Sequence, residues 1–441
     1  MKSLVVLAAR SAWNRRGTLS LVLLSVALST LLLLTLERLR TDARASFAQS
    51  VSGTDLIVGA RTGAVPLMLY SVFHIGGASN GVRMASLNDI AANRAVSWLV
   101  PLSLGDSHRG YAVLGTTPAY FEHFHYGDRQ PLVLALGRPF SGDLDGLFEA
   151  VLGAEVADAL GYRLGQRLTL SHGSGSADDL DADADGDAGP GGGHAHHGHD
   201  DKPFTVVGIL ARTGTPVDRT VHVSLRAIEA LHLDWVGGAP LPGARIPAEQ
   251  ARKFDLEPKQ ATAALVGLRS RAAAFAVQRQ VADYAGEPLM AVLPGVALDE
   301  LWGLVGIGER ALLAMSGLVA LVSLAGLVAV VLAGLNERRR ELALLRAVGA
   351  GPRQVMFLLA AEGSLVTGLG ALLGALASGA LIAMAGPWMQ ARFGISLQLG
   401  APTSGQWLMG AGVLVAGMAA SLVPGWRAYR LSLADGLSPR T

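Results

Sequence analysis

The chain has 441 residues, of which 51% are hydrophobic and only 16% charged, with a formal net charge of +1. Soluble domains carry roughly 25% charged residues, so an ordinary soluble protein is excluded, and no basic stripe with interleaved aromatics speaks for nucleic-acid binding. With no cysteine, disulfides, thiolate metal centres and cysteine nucleophiles are excluded too.

The apolar excess is gathered into a few long runs. A bilayer core about 30 Å thick needs roughly 20 apolar residues in helix. Residues 1–17, with Lys2, Arg10, Arg15 and Arg16, precede the first such run, Thr18 to Leu36, which holds no charge. That run is longer than the roughly 7–15 residues of a signal-peptide core, and Glu37-Arg38-Leu39-Arg40 follows it instead of a small-residue cleavage site. It reads as a retained transmembrane helix.

Residues 37–305 have globular composition. Ala150–Gly153, Arg167–Ser171, Phe204–Leu210 and Val221–Ser224 read as strands, whereas Ala154–Leu160, Leu225–Leu233 and Ala272–Ala285 read as helices. The mixture predicts an α+β domain in two lobes, with a boundary or loop at Gly237–Pro247. His123 and His125 read as packing or surface residues.

Residues 172–201 are an Asp/Gly/His-rich insertion that cannot build a core and is expected to be disordered. His194, His196, His197 and His199 place four imidazoles within six residues, a set that suits zinc, copper or nickel. Widely spaced ligand pairs, the mark of a structural zinc site, are missing, so any zinc here is expected to exchange and no tightly bound cofactor is expected. The bland alternative is a variable surface loop. The acidic run before the histidines lacks the twelfth-position glutamate of a calcium-binding EF-hand.

Three further apolar spans follow, at 311–335, 355–385 and 406–423. Arginine is concentrated in the segment between the second and third spans (Arg338, Arg339, Arg340, Arg346, Arg353) and in the tail 424–441 (Arg427, Arg430, Arg440), whereas the loop 386–405 carries only Arg392. The positive-inside bias predicts both termini in the cytoplasm and residues 37–305 outside. The fold expected is an α-helical membrane protein with four transmembrane helices and a large α+β extracytoplasmic domain inserted between the first two. Small residues such as Gly374 and Ser378 suit close helix packing, within the chain or in a dimer face. Glu362 falls in or near the third span; it either belongs to an ion path or pairs at the interface with an arginine such as Arg353.

Residues 336–354 form an amphipathic segment. Leu342, Leu345 and Val348 share one face of a helix, Glu341, Arg338 and Arg346 surround it, and Gly349 with Gly351-Pro352 ends it. The string from Glu337 to Ala350 resembles the signature of FtsX/MacB-like permeases, the type VII ABC superfamily. Ala361-Glu362-Gly363 and the tail from Pro424 to Leu437 are similar to further elements of that family, although the tail lacks its Asp-Pro pair. Ser52–Gly59 and Thr213–Ser224 resemble segments of a MacB-type periplasmic core.

The resemblance implies an inner-membrane permease that dimerises with itself or a sister permease. A cytoplasmic ATPase dimer would then drive it by contact with Glu337, Arg338, Arg339, Arg340, Glu341, Leu342, Leu345, Arg346 and Gly349, and Arg338, Arg339 and Arg340 would also touch acidic lipid. It implies mechanotransmission, in which ATPase closure moves the periplasmic domain, and a periplasmic partner protein. The residues agree on one point: a P-loop needs a lysine after glycine, and Lys2, Lys202, Lys253 and Lys259 all follow other residues. ATP hydrolysis is therefore expected from another polypeptide, and no nucleophile elbow points to catalysis here. Export of a lipoprotein or amphiphile, a zinc-transport component with the histidine loop as collector, and a regulator of a periplasmic hydrolase are the competing readings.

Overall fold

The computed structural model describes residues 16–77, 80–172, 201–236, 239–240, 246–337, 347, 349–393, 397 and 400–430. They divide into two units: the described residues up to 43, with 305–389 and those from 396 onward, and residues 44–304 with 390–395.

Among the described residues, four helices are long and apolar enough to cross a membrane. They are α1 (Arg16–Gln49), α2 (Pro294–Glu337), α3 (Pro352–Phe393) and α4 (Ser404–Arg430). Each outlasts the apolar run that predicts it, because helix is limited by caps and breakers whereas a span is limited by hydropathy. Pro387 and Pro424 lie inside α3 and α4 without ending them. Outward leucines such as Leu321, Leu376 and Leu408 are more than half exposed, as expected of a surface solvated by lipid rather than water.

In this helical unit, α1 runs against two neighbours. Val22 packs with Leu327 and Val331 of α2 and Val366 of α3. Ser323 of α2 sits within hydrogen-bond reach of Ser25 (2.7 Å) and Ser29 (2.8 Å). A Cβ on Gly374 of α3 would run into Ala27 O and Thr30 Cβ of α1, and the Thr35 and Ser378 hydroxyls are 2.8 Å apart. The small-residue stripe of α3 therefore serves packing within the chain, by letting two backbones approach. Farther along, α3 meets α4 where Gly363 faces Ser421 and Gly417 faces Thr367.

The other unit is built on an eleven-stranded sheet. Its strands are β1 (Leu56–Ala60), β2 (Val96–His108), β3 (Tyr111–Thr116), β4 (Leu134–Gly137), β5 (Glu149–Leu152), β6 (Arg167–Leu168), β7 (Ser171–His172), β8 (Phe204–Leu210), β9 (Thr220–Ser224), β10 (Ala263–Leu268) and β11 (Leu289–Val292). The order is β11-β1-β10-β2-β3-β9-β5-β8-β4, with β7 on β2 and β6 on β8. Side chains alternate across a strand, and the cores follow that period. Ile57, Leu114 and Val151 enter one continuous cluster, whereas their neighbours enter two others. Val113, Ala150 and Leu152 belong to one of these, Leu56 and Val58 to the other. Where two lobes are expected, the structure has one sheet with a shared core on one face and two separate cores on the opposite face. The thirteen-residue β2 makes this possible: its first half pairs with β10, and its second half, from Ser103 on, pairs with β3, with a register shift between Leu104 and Ser107 inside that pairing.

Individual elements follow local chemistry. Ser224 ends β9 and caps the helix Leu225–Leu231, accepting from the Ala227 amide at 3.1 Å. The helix Ala154–Leu160 stops at Gly161, whose φ of 68° suits glycine. Thr220–Ser224 is buried throughout, although its sequence alternates polar and apolar residues, because both faces of this central strand are covered. The segment read as a single strand at Arg167–Ser171 is two short ones pairing with different partners, β8 and β2. Of the predicted boundary at Gly237–Pro247, residues 237–238 and 241–245 lie outside the described residues, and Ala239–Pro240 pair with Trp235–Val236.

Candidate functional site

The residues expected to meet an ATPase fall at the junction of α2 and α3. Glu337 is the last residue of α2. Gly349 takes a φ of 101° shortly before α3 begins at Pro352, a conformation that favours glycine. Arg338, Arg339, Arg340, Glu341, Leu342, Leu345 and Arg346 lie outside the described residues. Glu362 sits on α3, half-buried, directly before the Gly363 that packs on Ser421 of α4; Arg353 is exposed near the start of the same helix.

At the other end of α1 the structure brings together charges that sequence reading took only as evidence against signal cleavage. Glu37 and Arg38 are buried, at 5% and 7% exposure. The Arg40 guanidinium donates to Glu37 (Nη1–Oε2, 3.2 Å) and to Glu309 of α2 (Nε–Oε2, 3.1 Å). Arg38 donates to Asp42 at 2.9 Å and to the Ala401 carbonyl at 3.0 Å. A Cβ on Gly405, in the first turn of α4, would strike the Glu37 carboxylate. Buried charge is tolerated when it is paired and hydrogen-bonded, and here the pairing links α1 to α2 and to the approach of α4. Two signals mark it in the sequence: four charges within six residues at the end of an apolar helix, and Glu309-Arg310 immediately before the second apolar run.

In the sheet unit, Asp218 organises the Thr213–Ser224 segment. Its carboxylate accepts from the Thr213 amide (2.8 Å), the Thr213 hydroxyl (2.9 Å) and the Gly214 amide (2.7 Å). Burial pushes its pKa up, and these donors oppose the shift without cancelling it. Arg138 and Glu149 form a bidentate pair across the sheet edge. Although burial acts to raise Glu149, the guanidinium and the Ser141 amide hold it below its ordinary value.

His194, His196, His197 and His199 lie outside the described residues, as does the chain from 173 to 200. Its flanks are firmly held. Ser171 and His172 pair with Ser107 and Asp106 of β2. On the return side Lys202 is fully buried, its Nζ 2.7 Å from Asp234 Oδ1 and 3.2 Å from the Leu231 carbonyl. Burial works to raise the Asp234 pKa, but the ammonium outweighs it and keeps the carboxyl below its usual range. Nothing in the sequence singles out this lysine except its rarity. Among the described residues, no group of three or more His, Cys, Asp or Glu could hold a metal ion.

Comparison with known proteins covers both units. Residues 17–284 match the family model of the MacB-like periplasmic core domain, and residues 313–433 match that of the FtsX-like permease C-terminal region. No curated protein sequence matches the chain. Among solved structures, the periplasmic region of MacB from Actinobacillus actinomycetemcomitans matches at 12% identity and a TM-score of 0.33, covering 57% of this chain and 94% of that one. The extracellular domain of the noncanonic ABC-type transporter YknZ from Gram-positive bacteria matches at 12% identity and a TM-score of 0.28, covering 54% of this chain and 98% of that one.

Proposed function

The chain belongs to the MacB/FtsX-like family of ABC-transporter permeases, and from that premise we propose that it converts ATP hydrolysis by a separate cytoplasmic ATPase dimer into movement of its periplasmic domain. The observation that carries this reading is the match over residues 313–433, which includes the whole segment from Glu337 to Gly349. Both termini lie on the cytoplasmic face of the inner membrane, as the arginine bias requires. The segment between α2 and α3 then meets the ATPase. A second copy or a sister permease completes the assembly, and the periplasmic domain engages substrate or a periplasmic partner protein.

The Glu37–Arg40–Glu309 cluster suits this role. A push delivered at one end of α2 needs a firm connection to α1 at the other end, and paired buried charges resist sliding because separating them leaves charge unpaired. Co-purification of the chain with its ATPase subunit is the test. The Glu341→Ala/Leu345→Ala variant is expected to lose the ATPase while retaining the membrane location and melting behaviour of the parent. Undiminished association would refute the contact.

A second reading adds metal to the same machine. Four imidazoles within six residues, anchored on both flanks, favour weak capture of zinc by residues 172–201. Calorimetric titration with zinc should give binding to the full chain that disappears when 172–201 is replaced by a Gly/Ser linker; no binding to the intact chain would remove the reading.

A further inference from the structure

A cleft of about 420 Å³ opens in the sheet unit beside the ends of β1 and β10. Its aromatic wall depends on one glycine. Trp98 of β2 and Gly267 of β10 are cross-strand partners, and a Cβ on Gly267 would land inside the indole. The bare backbone therefore seats the ring. The His123 imidazole stacks parallel to the indole, with centroids 5.0 Å apart. His125 Nδ1 lies 2.7 Å from the His123 carbonyl and donates to it. The two histidines, expected to be packing or surface residues, are thus parts of one built wall.

The rest of the lining is cationic. Arg129, Arg269 and Arg271 share the lining with a single carboxylate, Asp55. Asp55 is already engaged: it accepts from the Leu268 amide at 2.8 Å and pairs with Arg271 at 3.4 Å. Arg269 touches the Val96 carbonyl through Nε at 3.4 Å, and neither it nor Arg129 has a carboxylate partner among the described residues. Arg129 also holds a φ of 56°, an uncommon conformation for a residue other than glycine, asparagine or aspartate. Three guanidiniums against one carboxylate give the lining a net charge of +2 with its histidines neutral, and a cleft lined by one sign of charge concentrates the opposite sign. Guanidinium forks match planar carboxylates and phosphates, and the volume is within the roughly 300–1,000 Å³ of small-molecule sites.

We propose that this cleft binds an organic oxyanion, with a carboxylate or phosphate held by Arg129 and Arg269 and a flat ring set against the Trp98–His123 wall. The inference concerns the periplasmic domain alone and holds whether or not the chain couples to an ATPase. Calorimetric titration of the full chain in detergent with phenyl phosphate, benzoate and inorganic phosphate tests it, and the tighter of the two ring-bearing anions identifies the head group. At least one of them should bind at least tenfold more tightly than inorganic phosphate. That affinity should fall at least tenfold in Arg269→Gln and in Arg129→Asn, the latter chosen because asparagine tolerates a positive φ. It should be unchanged in Arg279→Gln, an exposed arginine beside Asp283. Near-ultraviolet circular dichroism verifies that each variant is folded. Absence of binding by both ring-bearing anions would overturn the proposal. So would inorganic phosphate binding equally well, or affinities unmoved in Arg129→Asn and Arg269→Gln.

Discussion

His222 should make the periplasmic domain acid-sensitive by an amount that the structure lets one work out. It sits in the middle of β9 with 0% exposure. Its Nδ1 lies 3.2 Å from the Val151 carbonyl, Nε2 has no hydrogen-bond partner, and Tyr120 and Phe121 pack around the ring. Burial lowers its pKa from 6.5 to about 3, against the Val151 bond that favours the cation and with a smaller push from His74. The folded state thus holds the neutral ring more strongly than the unfolded chain does. The resulting stability is complete above pH 6.5 and is lost as pH falls from there toward 3. Each pH unit inside that window costs about 1.4 kcal/mol, so falling to pH 5 removes about 2 kcal/mol. For a domain of this size that is a drop of about 4–8 °C in Tm. Thermal melts of the full chain in detergent, followed by near-ultraviolet circular dichroism at pH 7 and pH 5, should show the drop in the parent. His222→Leu should lower stability at pH 7 yet lose less on acidification, by those same 4–8 °C. Equal acid-induced shifts in parent and variant would refute the burial argument.

Other substitutions probe the packing and the charge pairs. Gly374→Leu puts a side chain where Ala27 and Thr30 of α1 already stand; it should destabilise the helical unit by about 1–3 kcal/mol, read from unfolding in mixed detergent, whereas the same change at the open Gly379 should be nearly silent. Lys202→Met leaves the Asp234 carboxylate buried without its ammonium and should cost about 3–5 kcal/mol. Lys202→Met combined with Asp234→Leu should recover much of that loss in chemical denaturation. Glu309→Gln removes one of the two carboxylates on Arg40 and should cost about 1–3 kcal/mol in the same helical-unit assay, with Arg40→Met adding a further loss because it leaves the buried Glu37 carboxylate without its ion partner.

Fold class was legible in the sequence because its signals are local. Runs of roughly 20 apolar residues, the arginine bias and the β-branched runs at Phe204–Leu210 and Val221–Ser224 each depend on neighbours in the chain. The helix Ala154–Leu160 was legible for the same reason, with Gly153 and Gly161 punctuating both ends. What could not be read was long-range pairing. Trp98 meets Gly267, Arg40 meets Glu309 and Lys202 meets Asp234 only after the sheet and the helices assemble, so neither the cleft nor the buried ion pairs leave a contiguous pattern. The two-lobe expectation missed the single sheet because β2 serves both halves, pairing with β10 along its first half and with β3 along its second. The segment expected to contact the ATPase was recognised through resemblance, since its amphipathic pattern alone fits a plain membrane-surface helix equally well.

Coupling through the segment between α2 and α3 can be tested directly, because the chain has no cysteine and any introduced thiol is unique. Leu345→Cys and, as a periplasmic control, Thr403→Cys can each carry a short photo-crosslinker in native membranes. A crosslink from position 345 to a P-loop ATPase, lost in the Glu341→Ala background and absent from position 403, is the predicted result. An ATPase captured from position 403 and not from 345 would contradict the account.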